Sequence, residues 1–407
     1  MKIQKNVIGK NKQIYNEKKA WGVLLVVFLA SITVTMSMMK VPPLMDELIE
    51  DLNTNTAIGG LFMSSFMVAG VVLAIPVASL LNNWGPKKCG VIALGCIIIG
   101  SIFGSSAQEL PIILLIGRSI EGIGFAIMMV TAPTVISMWF KPDKRGLPMG
   151  IWATWVPVGL FIIYNLAKTI EIAFTWRGVW WFNAIFALIV LIIYYKIVDF
   201  PLKEWEYNKK SEKTQKIKIS QGIKNTNTLR LTIIFMVIGM SMQGYSTWLP
   251  TYLKNTGLNA TDANFSASLI TMGMIPAIVL AGLILNHTKN HKYILTTGLS
   301  LTAIILILWF SFGNNFSVIP WMIAIGLSSG LTPTCIFTMA SETVIRPEFA
   351  GIALAMVNMG YNFGAIIGPP IVGTIINKLG WNPVKYFVVI PITITIILAI
   401  SIIEKKK

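Results

Sequence analysis

Histidine and cysteine are scarce in this chain, and their placement excludes several kinds of site. The two histidines, His287 and His291, share one short polar loop, and the three cysteines have no metal-ligand spacing. A zinc site needs several such ligands, and a histidine-based catalytic pair needs a nucleophile beside its base. No P-loop sequence is present, so nucleotide hydrolysis is not the expected energy source. We therefore expect no metal, no cofactor and no enzymatic activity.

Charged residues are also scarce, at 12% of the chain against 55% hydrophobic residues, and the mean hydropathy is +0.70. A soluble domain of this size could not bury so much apolar surface, so lipid is the expected solvent. Backbone amides in lipid must be paired within their own segment, which makes the long apolar runs helices. Crossing the hydrocarbon takes about 20 residues.

Twelve apolar runs meet that length. They begin near Trp21, Ala57, Gly90, Pro111, Leu147, Gly178, Leu229, Ala263, Tyr293, Ile319, Ile352 and Pro383. Pro111 stands where a helix best accepts proline, and Asp262 is expected to cap the eighth helix.

The net charge of +16 has a simple distribution: lysine and arginine concentrate in alternate connections between the helices. This positive-inside pattern predicts a multi-pass protein of the cell membrane with both termini cytoplasmic. The basic residues therefore serve topology and contact with anionic headgroups, and nucleic acid is not an expected partner.

An internal repeat divides the chain. Three pairs of residues lie 205 positions apart: Gly146 with Gly351, Gly159 with Gly364, and Trp176 with Trp381. Two similar halves that rock about a site between them are a known way to carry a solute across a membrane. We expect a cytoplasmic tail (1–19), a six-helix bundle (20–199), a cytoplasmic linker (200–228), a second six-helix bundle (229–403) and a short tail (404–407).

Local motifs accompany the repeat. The loop after the second helix contains Asn82, Gly85, Lys87 and Lys88, and Asn286 stands at the matching place after the eighth helix. The fourth helix contains Leu114, Arg118, Gly122 and Gly124 in a second pattern.

These features resemble the major facilitator superfamily. The resemblance implies an all-α membrane protein with twelve transmembrane helices in two pseudo-symmetric six-helix bundles. It also implies a gating latch formed by the loop residues Asn82, Gly85, Lys87, Lys88 and Asn286. The family has an acidic residue where this chain has asparagine, which forms hydrogen bonds but no ion pair, so the latch is expected to be weaker.

Two further stretches bear on the branch of the family. The fifth helix lacks the Gly-Pro signature of proton-driven drug exporters, which weakens an efflux interpretation. Lys40–Leu44 and Trp248–Tyr252 are similar to the branch that includes nitrate, nitrite and cyanate porters.

Three charged residues fall within the predicted helices. Arg118 lies well inside the fourth, with Glu121 at i+3 on the same face. The pair either fixes helix packing, or Arg118 attracts an anion and Glu121, with Arg118, takes up the coupling proton. Lys40 either reaches the far interface or faces inward with Arg118, since Pro42 and Pro43 predict a bend there. An inward Lys40 would give the site an excess of positive charge.

Aromatic and amide residues in the fifth, seventh and eleventh helices are candidates for the cavity wall. They are Trp152, Trp155, Tyr245, Trp248, Tyr361 and Asn362. Each one alone also fits interface or packing roles, and amides also join helices. As a set, they suit contact with an organic solute.

The sequence therefore predicts a secondary transporter with alternating access, a symporter that moves a small organic anion with protons. One alternative is proton-coupled efflux of drug-like or amphipathic compounds, and another is a membrane sensor that does not transport. The expected partners are the small-molecule substrate, protons and the lipid bilayer. The oligomeric state is left open, and a monomer is compatible with the sequence.

Overall fold

The computed structural model describes residues 17–140, 144–199, 225–288, 290–313, 317–342, 344 and 350–402, with the side chains of 69, 70, 73–80, 82, 83, 286, 350 and 351 left out. The helices are α1 (Glu17–Met39), α2 (Met45–Asp51), α3 (Thr56–Ser105), α4 (Pro111–Trp139), α5 (Gly146–Ala153), α6 (Trp155–Ile197), α7 (Thr226–Asn255), α8 (Ala260–His287), α9 (His291–Phe312), α10 (Val318–Ser329), α11 (Leu331–Glu342), α12 (Ala350–Leu379) and α13 (Val384–Ile400). We call 17–199 the N-half and 225–402 the C-half.

Two of these helices contain a sharp break. Non-helical backbone at Gly85 divides α3 into the second and third predicted crossings, and non-helical backbone at Phe174 and Thr175 divides α6 into the fifth and sixth. The fifth crossing also includes α5, and α10 with α11 forms the tenth. The expected all-helical fold with twelve crossings is confirmed. Eight described stretches are long and apolar enough by themselves to span a membrane.

Some expected boundaries were wrong in detail. The third crossing begins just after Gly85 rather than near Gly90, because the chain reverses there at a positive φ of 75°. Asp262 is not the cap of α8: Asn259 is, and its side chain accepts from the Asp262 backbone amide. Pro111 does begin α4.

The expected bend after the first helix is present. Helix α1 ends at Met39, and a short 3-10 helix follows at Pro42–Leu44. In an α-helix, the N–H of residue 42 would donate to the carbonyl of Met38. Proline has no N–H, so Pro42 cannot make this hydrogen bond. The end of α1 therefore needs a hydrogen-bond donor from elsewhere.

Glycines bring neighbouring helices into backbone contact. A Cβ placed on Gly364 of α12 would lie 1.9 Å from the Met236 carbonyl oxygen of α7, and one on Gly117 of α4 would lie 2.7 Å from the Gly104 nitrogen of α3. Small residues at such crossings allow close van der Waals packing in lipid. Helix α12 packs closely on α7 in this way at Gly360, Gly364 and Gly368.

The two halves touch at the side of the protein where α1 ends and α3 begins, which we call the far side; the opposite side is the tail side. The Thr56 hydroxyl donates to the Gly373 carbonyl at 2.6 Å, and the Ser64 hydroxyl donates to the Ile366 carbonyl. Lys254 of α7 forms an ion pair with Asp46 of α2. These contacts hold the halves together at the far side.

The domain boundaries stay predictions. The expected linker lies mostly outside the described residues, as do most of the N-terminal tail and the whole of the short C-terminal tail. The orientation of the termini relative to the membrane is also still a prediction.

Candidate functional site

The structure brings Lys40, Arg118 and Glu121 together inside the N-half. The Lys40 ammonium lies 2.6 Å from Glu121 Oε1, and Arg118 Nη1 lies 2.7 Å from Glu121 Oε2. All three side chains are fully buried, with no exposed surface. Lys40 thus faces inward rather than reaching the interface. With two cations against one carboxylate, the group carries the excess positive charge expected from the sequence.

Arg118 supplies the donors that the end of α1 needs. Its Nη2 donates to the Met38 carbonyl at 2.9 Å and its Nη1 to the Ser37 carbonyl at 2.5 Å. Its Nε donates to the Phe62 carbonyl of α3 at 3.0 Å. The planar guanidinium therefore joins α1, α3 and α4, and it satisfies the carbonyl that Pro42 leaves without a partner.

Lys40 has a second set of neighbours that the sequence did not reveal. Its ammonium donates to Ser101 Oγ at 3.1 Å and lies 4.3 Å from the centroid of the Trp180 ring. Ser101 in turn donates to Glu121 Oε1 at 2.7 Å. The Asn183 amide donates to Ser101 at 3.5 Å, while its oxygen is buried without a partner among the described residues.

Sequence spacing could not reveal three members of this site: Ser101, Trp180 and Asn183. They lie on α3 and α6, whereas Lys40 follows α1 and Glu121 lies on α4, and nothing in their local sequence marks them as partners of a charge. We call the set of Lys40, Ser101, Arg118, Glu121, Trp180 and Asn183 the charge network.

Gly100 makes the space for the carboxylate. A Cβ at this position would lie 2.6 Å from Glu121 Cγ and 2.6 Å from the Gly117 carbonyl oxygen. Glycine is therefore the residue that lets α3 approach α4 at the depth where the charges meet.

The predicted aromatic residues of the N-half form one group, which contacts α1 and α4. Trp152 and Trp155 stack with centroids 6.0 Å apart, and Trp155 packs on Phe125 of α4 at 6.4 Å. The Trp152 indole donates to Ser31 Oγ of α1 at 2.9 Å. Trp152 is half-buried, whereas Trp155 is buried.

The predicted residues of the C-half are not all in one place. Tyr361 is half-buried and packs on Phe235 at 4.7 Å, and Asn362 beside it is also half-buried. Tyr245 is buried against Phe310. Trp248 is buried and donates to the Pro369 carbonyl at 3.0 Å.

Trp248 lies at the contact between the halves. Its ring would be 3.1 Å from a Cβ on Gly59 of α3 and 2.9 Å from one on Gly373 of α12. This position fits a residue that seals the far side.

The predicted latch residues are partly described. Gly85 forms the turn between two crossings, with φ of 75°, and Lys88 is exposed. Lys87 donates to Asp199 at 2.9 Å, and this hydrogen bond holds the pKa of Asp199 below its usual value, with help from Lys19. The side chains of Asn82 and Asn286 lie outside the described part of the chain.

The chain matches the profile of the Major Facilitator Superfamily over residues 23–352. The chain belongs to the major facilitator superfamily. It is therefore an integral, multi-pass membrane protein, and at the level of the family a secondary transporter rather than an enzyme.

Two curated relatives are from Bacillus subtilis (strain 168). One, named as a niacin/nicotinamide transporter, is 25% identical over 73% of this chain and 74% of its own length. The other, a hexuronate transporter, is 22% identical over 81% of this chain and 82% of its own length. The crystal structure of a D-xylose-proton symporter shares the fold with a TM-score of 0.74 at 15% identity, over 94% of this chain and 98% of that one. The narrower resemblance to nitrate, nitrite and cyanate porters stays a prediction.

Proposed function

We propose that this transporter moves a small organic anion together with protons, and that the charge network is its electrostatic centre. The observation that carries the proposal is the network's composition: two cations and one carboxylate, all without exposed surface. An unbalanced positive charge in a medium of low dielectric attracts an anion far more strongly than it would in water. Lys40 and Arg118 supply that attraction, and Glu121 with Arg118 and Lys40 forms the coupling site.

The solute lies between the halves, in contact with aromatic and amide groups from both. The half-buried residues Trp152, Tyr361 and Asn362 are reachable, Trp155 stacks on Trp152, and Tyr245 is buried against Phe310. Aromatic faces and a few hydrogen-bonding groups suit a small organic molecule. Trp248, which is already in contact with the opposite half, closes the far side.

The relatives' names favour the same class of substrate. Niacin is a carboxylic acid and a hexuronate carries a carboxylate, so each relative's name includes a small organic anion, although the first also includes the neutral nicotinamide. Support of this kind concerns the class of substrate and leaves its identity open.

The sidedness follows from the distribution of basic residues. If the tail side is cytoplasmic, as the positive-inside pattern predicts, the far-side contacts close the outer face. The structure would then represent a state closed to the outside of the cell membrane.

The test is uptake into proteoliposomes with an imposed proton gradient. Nicotinate, glucuronate and inorganic nitrate serve as anions, and tetraethylammonium serves as the cation. We expect uptake of at least one organic anion, stimulated by an acidic exterior. Uptake of the cation alone would contradict the proposal, and cation-for-proton exchange would favour efflux.

Variants of the two cations localise the effect. Lys40→Ala and Arg118→Ala should each weaken anion uptake, because each removes a buried positive charge. Lys88→Ala is the matched control, since Lys88 is an exposed lysine on the tail side. Equal uptake in all three variants would mean that the buried charges only hold the helices together.

A further inference from the structure

The charge network holds one more positive charge than it can balance. Glu121 accepts hydrogen bonds from three donors, Lys40, Ser101 and Arg118, and is the only carboxylate that faces the two cations among the described residues. A net charge in a fully buried site is costly. A change of protonation that removes it is therefore the change that this site favours.

Only one of the three charged groups can make that change. Arginine keeps its proton in proteins. Protonating Glu121 would leave Arg118 and Lys40 as two cations without an anion, which increases the imbalance. Loss of a proton from Lys40 leaves Arg118 paired with Glu121 and a neutral network. Lysine is also the basic residue that changes its protonation readily when buried.

We propose that Lys40 carries the coupling proton. The proposal rests on the proposed function, and it names the residue that links the anion to the proton. The step breaks one N–H bond: the ammonium becomes an amine, and the proton passes to water on the side where the anion is released. The amine takes a proton from water again when the opposite side opens.

Charge balance then couples the two solutes. With the anion bound and Lys40 protonated, a monovalent anion cancels the excess charge. With the site empty and Lys40 deprotonated, the network is again neutral. Two states remain: the anion bound without the proton, and the proton bound without the anion. Each has a net charge when the site is closed to both sides of the membrane, so each is disfavoured. The result is symport of one proton with one monovalent anion.

The chain also gives Lys40 a connection to the far side. Residues 41–45 are buried, and the next two, Asp46 and Glu47, are the ones that contact Lys254 of the other half. Separation of the halves at the far side breaks that contact and uncovers the segment that begins at Lys40, while Glu47 keeps its ion pair with Lys168 of the N-half. Protons are therefore expected to reach Lys40 from the far side.

Among the described residues, Glu121 and Arg118 are the only charged groups found beside Lys40. Helix α4 presents Glu121 and Arg118, α3 presents the Ser101 hydroxyl, and α6 presents the Asn183 amide and the Trp180 ring. A titration observed at this site should thus involve a single proton.

The transport test compares Lys40→Arg with the wild type, using whichever anion of the proteoliposome panel the wild type accumulates. Arginine keeps the positive charge but cannot release its proton. We expect exchange of labelled for unlabelled anion to persist. Net accumulation, about tenfold for each unit of pH difference in a one-proton symporter, should be lost, because the empty variant keeps a net charge that disfavours its return across the membrane. Accumulation that persists in Lys40→Arg and disappears in Glu121→Gln would overturn the proposal in favour of Glu121.

A second measurement needs no substrate and remains informative if arginine disturbs the packing. An ammonium against an indole ring forms a cation–π contact, so loss of the proton should change the fluorescence of Trp180. The signal is the difference between wild type and Trp180→Phe across a pH titration in detergent. We expect a one-proton transition that is absent in both Lys40→Arg and Lys40→Gln. A transition that survives in folded Lys40→Gln would show that another group titrates.

The failures of the two proposals are distinguishable. If the wild type takes up no anion, the proposed function fails whatever the fluorescence shows. If the wild type accumulates an anion with protons but Lys40→Arg does so equally well, the function stands and the assignment of the proton to Lys40 is wrong.

Discussion

The two halves share a backbone plan but differ in what their cores contain. Applying the 205-residue offset to Lys40, Ser101, Arg118, Glu121 and Asn183 of the N-half gives Tyr245, Leu306, Ile323, Gly326 and Val388 of the C-half. None of these matched residues is charged: Tyr245, Leu306 and Val388 are buried, whereas Ile323 is exposed.

The first helices of the two halves explain part of the difference. In the N-half, α1 stops at Met39, and Arg118 binds the carbonyls that the bend exposes. In the C-half, α7 continues to Asn255, so its carbonyls at the matching depth have helical partners. A buried cation is needed where the helix breaks, and it is absent where the helix continues. The break is thus the feature that brings charge into one half alone.

The tail-side ion pair of the N-half, in contrast, recurs in the sequence. Lys87 and Asp199 form an ion pair in the N-half, and Lys292 and Glu404 stand 205 positions later. The sequence thus repeats this pair of charges and does not repeat the charges of the buried network.

Loss of Arg118 should produce the largest effect. Arg118→Met leaves the Lys40–Glu121 pair balanced but removes the donors to the Ser37, Met38 and Phe62 carbonyls. Each buried acceptor left without a partner costs about 1–3 kcal/mol, so the free energy of unfolding should fall by about 3–5 kcal/mol. Ile323→Met, at the matched position, replaces one apolar side chain by another and should cost less than about 1.5 kcal/mol. Thermal unfolding in detergent measures both. Equal losses of unfolding free energy in the two variants would show that Arg118 matters no more to stability than the apolar residue at the matched position.

Gly100 tests whether the space for Glu121 is required. Gly100→Ala should lower the free energy of unfolding by about 1–3 kcal/mol through overpacking, and it should impair proton-coupled uptake because Glu121 must move. Gly95→Ala is the control on the same helix, since nothing lies within 4 Å of its added Cβ. It should be neutral or stabilise by about 0.5–1 kcal/mol. Similar behaviour of the two variants would argue against a tightly fitted carboxylate.

Two breaks in the backbone, at Thr175 within α6 and at Gly380 just after α12, test whether the halves share a backbone plan. Thr175 has φ of 60° and Gly380, 205 positions later, has φ of 75°. A β-branched residue is strained there and glycine is not. Thr175→Gly should therefore stabilise the protein by about 1 kcal/mol, and Gly380→Thr should destabilise it by about 1–3 kcal/mol. Opposite signs in thermal unfolding support the repeat, and a destabilised Thr175→Gly would contradict it.

The tail-side ion pair should give the smallest effect. Asp199 has a lowered pKa, so its contribution is present above its ordinary pKa and is lost as the pH falls through the lower folded value. Because Asp199 is half-exposed, Asp199→Asn should cost at most about 1 kcal/mol at neutral pH. Thermal unfolding should show the same small loss for Glu404→Gln if the pair is repeated in the C-half. A loss for Asp199→Asn that persists unchanged at pH well below the folded value would exclude the ion pair as its cause.

Much of the fold could be predicted from sequence because lipid imposes a strong length and composition rule on each crossing. The bend at Pro42 and Pro43 was equally predictable, since proline lacks the amide that a helix needs. The exact breaks between crossings at Gly85 and Thr175 could not be predicted, because hydropathy does not record the backbone angles of a short turn.

Less of the candidate site could be predicted. Arg118 and Glu121 stand one turn apart on a single helix, and their spacing alone indicates contact. Ser101 and Asn183 become neighbours of Lys40 only through the packing of α3 and α6, which no local pattern encodes. Trp248 meets Gly59 of the other half, and Tyr361 packs on Phe235 of its own half; neither contact is encoded in a local pattern.

Proton movement driven by the anion itself tests the central claim most directly. Proteoliposomes without any imposed gradient enclose a pH-sensitive dye, and a transported organic anion is added outside. The account predicts that the interior becomes acidic as the anion enters, with no dependence on membrane potential for a monovalent anion. Anion entry without acidification, or acidification driven only by cations, would contradict it.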